Sequence, residues 1–151
     1  RQLANAGIPF VFDPGQQLPM FDGPELRQFA SMARWIALND YEARMLCERM
    51  ETDLAGLSRM ANLQGVIVTL GAEGCDVWQQ GSRSHVPGVR AAAVVDPTGC
   101  GDAFRGALLH GLSRGWSLER CAALGNQVGA LKIAEQGGQN HRIPEALIAG
   151  A

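Results

Sequence analysis

The 151-residue sequence lacks the features that mark several broad classes of protein. No apolar run approaches the roughly 20 residues that a membrane-spanning helix needs, and no signal peptide is visible. The net charge of −2 offers no basic surface to nucleic acid or to an anionic membrane. The four cysteines are widely spaced and form no CxxC pair, which argues against a zinc site and favours a reducing, cytoplasmic setting.

What the sequence does contain is an alternation of strand and helix patterns. Apolar, β-branched runs predict buried strands at 8–12, 34–40 and 65–70, and residues 75–87 predict one or two antiparallel strands with a tight Gln80-Gly81 turn. Helical spacing predicts helices at 25–33, from Asp40 to about Met50, from Asp53 to about Ala61, after Asp102, from Ser117 to about Glu135 and after Pro144. This order predicts an α/β fold with a mostly parallel sheet and helices on both faces.

Three predicted strand ends carry residues that are suited to binding a ligand. They are Asn39, the segment from Thr69 to Gly71, and the segment from Asp96 to Asp102. In open α/β sheets, ligands bind in the crevice beyond the carboxyl ends of the strands. We therefore expect the functional site at these three positions.

The segment VVDPTGCGDAFRGALLHGL, residues 94–112, places two glycines around one residue and a carboxylate at a helix start. Glycines let a loop bring backbone N–H groups close to an anion, and a helix N-terminus adds partial positive charge. Asp102 beside a phosphate would be repelled unless it accepted a proton or faced a cation. A tight strand-to-helix turn with an acid that favours the helix dipole explains the same residues. The segment is neither a Walker A loop nor a GxGxxG fingerprint.

Residues 96–102, Asp-Pro-Thr-Gly-Cys-Gly-Asp, resemble the D-x-T-G-A-G-D signature of the ribokinase-like (PfkB) kinases, with cysteine in place of alanine. The resemblance implies that the backbone of Gly99, Cys100 and Gly101 forms the anion hole for the γ-phosphate. It also implies that Asp102 is the base that deprotonates the acceptor hydroxyl. The cysteine is a mild departure, because this role uses its backbone N–H.

Asn39-Asp40-Tyr41-Glu42 has the form of a capping box, and it also resembles the N-x-x-E motif of the same family. That motif orders Mg²⁺ and phosphates largely through water, so the resemblance assigns Glu42 to magnesium and Asn39 to the nucleotide. A T-x-G-x-x-G stretch, Thr69 to Gly74, is either a plain turn or the family's contact with ribose and phosphates.

The same resemblance implies the remaining contacts. Asn126 would lie near the adenine of ATP. Backbone carbonyls of the loop "EQGGQ", with the acid that opens the glycine signature, bind a monovalent cation such as K⁺ in several members. The candidate cation ligands are Asp96, Thr98, Glu135 and Gly137.

The resemblance covers residues 1–151 as the C-terminal part of one larger three-layer ribokinase-like domain. The first residues read as the end of a helix that feeds a strand, so we expect that an N-terminal part with acceptor site and lid is missing. Three segments, FDPGQQLPMF, NDYEA and DPTGCGDAFR, are most similar to bacterial adenosine kinases. The implied reaction is transfer of the γ-phosphate of ATP to the 5′-hydroxyl of adenosine, with a homodimer as one candidate assembly. A ribokinase or other sugar kinase, and a non-catalytic ATP-binding or regulatory module, remain alternatives.

Overall fold

Five strands form one sheet in the computed structural model, which describes residues 1–149. The strands lie in chain order: β1 (Val11–Phe12), β2 (Trp35–Asn39), β3 (Gly65–Thr69), β4 (Gly74–Gln79) and β5 (Ser82–Pro87). β1 pairs parallel with β2, and β2 pairs parallel with β3. In the second pair, Asn39 lies opposite Thr69, so both carboxyl ends stop level with each other. The expectation of an α/β fold with a mostly parallel sheet is confirmed.

Two strands form here, and the two-residue turn that joins β4 to β5 confirms the tight turn predicted at Gln80-Gly81. Gln80 and Gly81 both have positive φ, 50° and 84°. Positive φ at both central residues is the backbone conformation of a two-residue turn whose twist matches that of two antiparallel strands. The amide of Gly81 donates to the hydroxyl of Ser58, which anchors the turn.

Residues 1–149 also form seven α-helices, of which α1 precedes β1 and the others connect or follow strands, and two 3₁₀ turns occupy Gly15–Met20 and Gly71–Glu73. The helices are α1 (Gln2–Asn5), α2 (Gly23–Met32), α3 (Asp40–Arg49), α4 (Leu54–Ser58), α5 (Cys100–Ser113), α6 (Leu118–Ile133) and α7 (Glu145–Ile148). Side-chain caps explain where four of them begin. The caps are Asp22 for α2, Asn39 for α3, Asp53 for α4 and Ser117 for α6, each accepting a first-turn backbone N–H.

The residues form two compact units. The first comprises Arg1–Leu70 with Asp76–His85, and the second comprises Gly71–Cys75 with Val86–Ala151, of which residues up to 149 are described. The core of the first unit packs α2, α3 and α4 against the central strands, with Ile36, Leu46 and Val66 fully buried. In the second unit α5 packs against α6, and the ring of Phe104 lies against Gly125.

The strand expected to end at Asp96 is not present, and this is a correction. Residues 88–97 have no strand structure, although Val94 and Val95 are β-branched. The amides of Val95 and Asp96 both donate to the carbonyl of Ile133, at 2.8 and 3.1 Å. The segment is therefore held by the C-terminal end of α6 and not by a neighbouring strand.

Two elements are shorter than predicted. β1 covers only Val11–Phe12 of the expected 8–12, because Pro9 has no N–H and the amide of Ile8 donates to the carbonyl of Leu3. α4 ends at Ser58, short of the expected Ala61. Within residues 1–149, no helix has the length and apolar character that crossing a membrane requires.

Candidate active site

Helix α5 begins without the side-chain cap that α2, α3, α4 and α6 have. Its N-cap residue is Gly99, with φ 81° and ψ 4° in the left-handed region, and no side chain bonds the first turn. The amide of Cys100 donates to the carbonyl of Pro97 at 3.2 Å. The first-turn amides of Gly101 and Asp102 therefore have no capping side chain, and an anion is the partner that such amides and the helix dipole favour.

The predicted base lies on this same turn. Asp102 is exposed in the first turn of α5, three residues after the N-cap. A Cβ built on Gly101 would lie 2.5 Å from an Nη atom of Arg105, so that guanidinium flanks the turn. Burial raises the pKa of the Cys100 thiol, which keeps it neutral beside the loop at pH 7. The turn thus combines amide donors, a carboxylate and a nearby cation.

The carboxylate of Asp96 ties this loop to residues 136 and 137. Its Oδ1 accepts the amide of Thr98 at 2.8 Å, and its Oδ2 accepts the amide of Gly137 at 2.8 Å and Nε2 of Gln136 at 3.2 Å. These hydrogen bonds, led by that from Thr98, lower the pKa of Asp96 from 3.8 to about 2. Asp96 is therefore a fixed anion that shapes the loop.

Sequence reasoning missed Lys132, which lies beside these residues. It is fully buried near the end of α6, and its Nζ donates to the carbonyls of Asp96 at 2.6 Å and Glu135 at 3.1 Å. Lys132 is the only lysine in the sequence, and every other Lys or Arg position is an arginine. A lone lysine among the otherwise apolar residues 128–133, three residues before the glycine loop, was the signal available in the sequence.

The predicted cation ligands are therefore brought together, and the carbonyl oxygens of two of them, Asp96 and Glu135, already accept from Lys132. Asp96, Thr98, Glu135 and Gly137 all belong to this one network. The carbonyls of Asp96 and Glu135 accept from the Lys132 ammonium, and the Asp96 carboxylate accepts from backbone amides. A K⁺ ion that used the carbonyl oxygens of Asp96 and Glu135 would have to share them with the Lys132 ammonium.

Other predicted nucleotide contacts in the second unit have structural roles. Nδ2 of Asn126 donates to the carbonyls of Val86 and Pro87, at 3.2 and 3.0 Å. Gly74 has φ 102°, and a Cβ there would collide with the carbonyl of Val86. Gly71, with φ 61°, has open space around its Cβ position. Contacts of these residues with a nucleotide stay a prediction.

In the first unit, the structure places Asn39, Glu42 and Thr69 at the carboxyl edge of the parallel strands. Asn39 Oδ1 accepts the amide of Glu42, and Glu42 Oε2 accepts the amide of Asn39, both at 2.8 Å. The capping-box interpretation of this motif is thus confirmed. Glu42 is 8% exposed, and Thr69 donates its hydroxyl to the carbonyl of Leu38 at 3.3 Å.

A dedicated protein metal centre is not visible among residues 1–149, since no three His, Cys, Asp or Glu side chains there are placed to hold an ion. A magnesium ion held through water and phosphate oxygens does not need such a cluster. Glu42 has the carboxylate chemistry for that outer role, and the assignment stays a prediction.

Comparison with known proteins identifies the family. Residues 1–146 match the sequence pattern of the pfkB family carbohydrate kinases. The chain belongs to this family. A nucleoside kinase from Methanothermobacter thermautotrophicus is 30% identical over 135 residues, which are 89% of this chain and 42% of that protein.

Solved structures of other kinases share the fold. The Burkholderia thailandensis nucleoside kinase in complex with inosine has a TM-score of 0.91 and 44% identity, covering 97% of this chain and 48% of that chain. The same kinase has been solved in complex with ADP-inosine. The adenosine kinase from Sinorhizobium meliloti has a TM-score of 0.79 and 26% identity, covering 98% of this chain and 46% of that one.

These comparisons confirm the predicted ribokinase-like α/β fold and the PfkB resemblance. The chain spans less than half the length of these relatives, between 42% and 48%.

Proposed function

We propose that this chain carries the phosphate-binding and catalytic part of a nucleoside kinase. The observation that carries the proposal is the start of α5, where a left-handed Gly99 leaves first-turn amides without a side-chain cap next to the exposed Asp102. The nucleoside kinase relatives, one of which has been solved both with inosine and with ADP-inosine, support both the reaction class and the use of ATP.

The amides of Gly99 to Asp102 would stabilise the phosphoryl group during transfer. The transferred group carries charge on its three equatorial oxygens, and preorganised N–H donors lower the energy of that charge without reorganising. This role uses the backbone alone, so a cysteine at position 100 serves as well as an alanine. Arg105, which flanks Gly101, would add positive charge to the same region.

Asp102 would accept the proton of the attacking hydroxyl. The hydroxyl oxygen forms a bond to the γ-phosphorus, the bond from that phosphorus to the bridging oxygen breaks, and ADP leaves. The proton passes to the Asp102 carboxylate, which is exposed and therefore accessible to an acceptor. General-base assistance of this kind contributes about 10²- to 10⁴-fold to a rate.

The remaining parts of the nucleotide site follow the sequence prediction. Glu42 would hold water molecules of a Mg²⁺ ion, which would neutralise phosphate charge when bound. The residues that we assign to the nucleotide itself are Asn39, Thr69, Gly71, Gly74 and Asn126.

The acceptor is a nucleoside, and adenosine is our first candidate because three segments are similar to bacterial adenosine kinases. Inosine is the necessary comparison, since it is the nucleoside in the Burkholderia thailandensis complex. We further propose that the chain is the C-terminal part of one larger domain whose N-terminal part supplies the acceptor site and the lid. A cytoplasmic location and a homodimer stay predictions.

The test is phosphoryl transfer by full-length protein from ATP to adenosine, inosine, cytidine and ribose, with products separated by chromatography. We expect nucleoside 5′-monophosphates, and kcat for Asp102→Asn lower by about 10²- to 10⁴-fold. Asp40→Asn is the matched control, because Asp40 is also an exposed acid in a first helical turn.

Three outcomes would contradict the proposal. Transfer to ribose alone would favour the sugar-kinase alternative. Binding of ATP without any transfer would favour a non-catalytic module. Normal turnover by Asp102→Asn would remove Asp102 as the base.

A further inference from the structure

Lys132 has the surroundings of a bound cation. Its side chain has no exposed surface, and both acceptors of its ammonium are backbone carbonyls, those of Asp96 and Glu135. A buried ammonium must be matched by oxygen ligands, because leaving it unpaired away from water is strongly unfavourable. The ammonium is a compact point charge, in contrast to the planar guanidinium of the arginines elsewhere in this chain.

The ammonium joins the two segments that shape the anion-binding turn. One segment runs from Asp96 to Gly99, and the other runs from Glu135 to Gly138. The Asp96 carboxylate accepts from Gly137, and a Cβ on Gly99 would lie 3.0 Å from the carbonyl oxygen of Gly138. Lys132 therefore holds together the two segments that determine where Gly99 and the start of α5 lie.

We propose that Lys132 is a positioning residue whose ammonium permanently replaces a monovalent cation, so that the kinase works without K⁺. The inference rests on the proposed kinase function. The carbonyls that a cation would ligate are those that Lys132 already bonds, and a second cation at the same oxygens would meet direct charge repulsion.

The first experiment uses wild-type full-length protein in K⁺, Na⁺ or tetramethylammonium chloride at one ionic strength. We expect kcat and the thermal midpoint to be the same in all three, with kcat changing by less than about twofold, since equal ionic strength holds screening constant. A specific cation that bound the folded protein would raise the midpoint by mass action. Activity or a midpoint that rises specifically with K⁺ overturns the proposal.

The second experiment uses Lys132→Met, which keeps an unbranched side chain, one heavy atom shorter, and removes the charge. We expect low activity in tetramethylammonium and a rise of about fivefold or more when K⁺ is supplied, because K⁺ can now reach the vacated carbonyls. Arg114→Met is the control, since Arg114 is exposed and lies outside this network. An Lys132→Met enzyme with full activity in tetramethylammonium would overturn the positioning role.

The two experiments separate the inference from the proposed function. If Lys132→Met does not fold, the wild-type salt series still decides, because thermal midpoints need no catalysis. Transfer that requires K⁺ would refute the role of Lys132 and leave the kinase intact. If phosphoryl transfer were absent in every salt while the thermal midpoints did not change with K⁺, the proposed kinase function would be refuted. The same result would support the inference that Lys132 holds the loop without a bound cation.

Discussion

Replacing Gly99 with alanine tests the geometry at the start of α5 most directly. With φ at 81°, an L-residue there costs about 1–2 kcal/mol through the contact of its Cβ with the backbone. The new Cβ would also lie 3.0 Å from the carbonyl oxygen and 3.1 Å from the Cα of Gly138, so that loop must shift. We expect Gly99→Ala to lose about 1–2 kcal/mol of unfolding free energy. A shifted turn misplaces its amides, so kcat/KM should fall by about tenfold or more.

Gly106→Ala, seven residues further along α5, is the matched control. Gly106 is exposed in the middle of the helix, and nothing lies within 4 Å of its Cβ position. Alanine there should gain about 1 kcal/mol from helix propensity. Urea unfolding followed by circular dichroism would measure both variants in full-length protein. If Gly99→Ala were as stable as wild type, or gained stability as Gly106→Ala does, the left-handed cap and its contact with Gly138 would be refuted.

Two further predictions concern the same loop. Gly101→Ala should fold at least as well as wild type, because the new Cβ would displace only the flexible end of the Arg105 side chain. Phosphoryl transfer should nevertheless fall, because we expect the new Cβ to block the approach of the phosphate to the first-turn amides. Equal losses of stability and activity would contradict this prediction. The folded pKa of Asp96, about 2, lies below its ordinary 3.8, so its stabilisation is complete above about pH 4 and is lost as the pH falls toward 2. In urea titrations, the loss of unfolding free energy that Asp96→Asn causes relative to wild type should therefore become smaller as the pH is lowered. A loss that does not change with pH would argue against stabilisation by the ionised Asp96 carboxylate.

Elements whose determinants are local could be predicted from the sequence. The run Gly65–Thr69 is apolar and β-branched, and it forms a strand with four buried residues. Asn39 with Glu42 predicted a capping box, and both reciprocal hydrogen bonds are present. In each case the pattern and the structure depend on residues within a few positions of each other.

Features that depend on distant partners could not be predicted in the same way. Val94 and Val95 have strand propensity, but a strand needs a neighbour, and the amide of Val95 is bonded to Ile133 at the end of α6. The sequence could not show that the side-chain amide of Asn126 bonds the last two residues of β5, some 40 positions earlier, whereas its contact with adenine stays a prediction. Side-chain identity gives no information about which backbone carbonyl it will meet.

The network around Lys132 shows why a signature motif is only part of a phosphate site. Residues 96–102 contain the proposed base and the amide donors, yet a loop of this composition is flexible by itself, because glycines at 99 and 101 leave its backbone many conformations. What selects one conformation comes from residues 132–138, through the ammonium on Asp96 O and the Gly137 amide on the Asp96 carboxylate. Amide donors stabilise a transition state only if they are aligned beforehand. Loss of the ammonium should therefore lower kcat while Asp102 and the glycines remain unchanged, and restoration of that loss by an added cation would separate alignment of the loop from the chemical step.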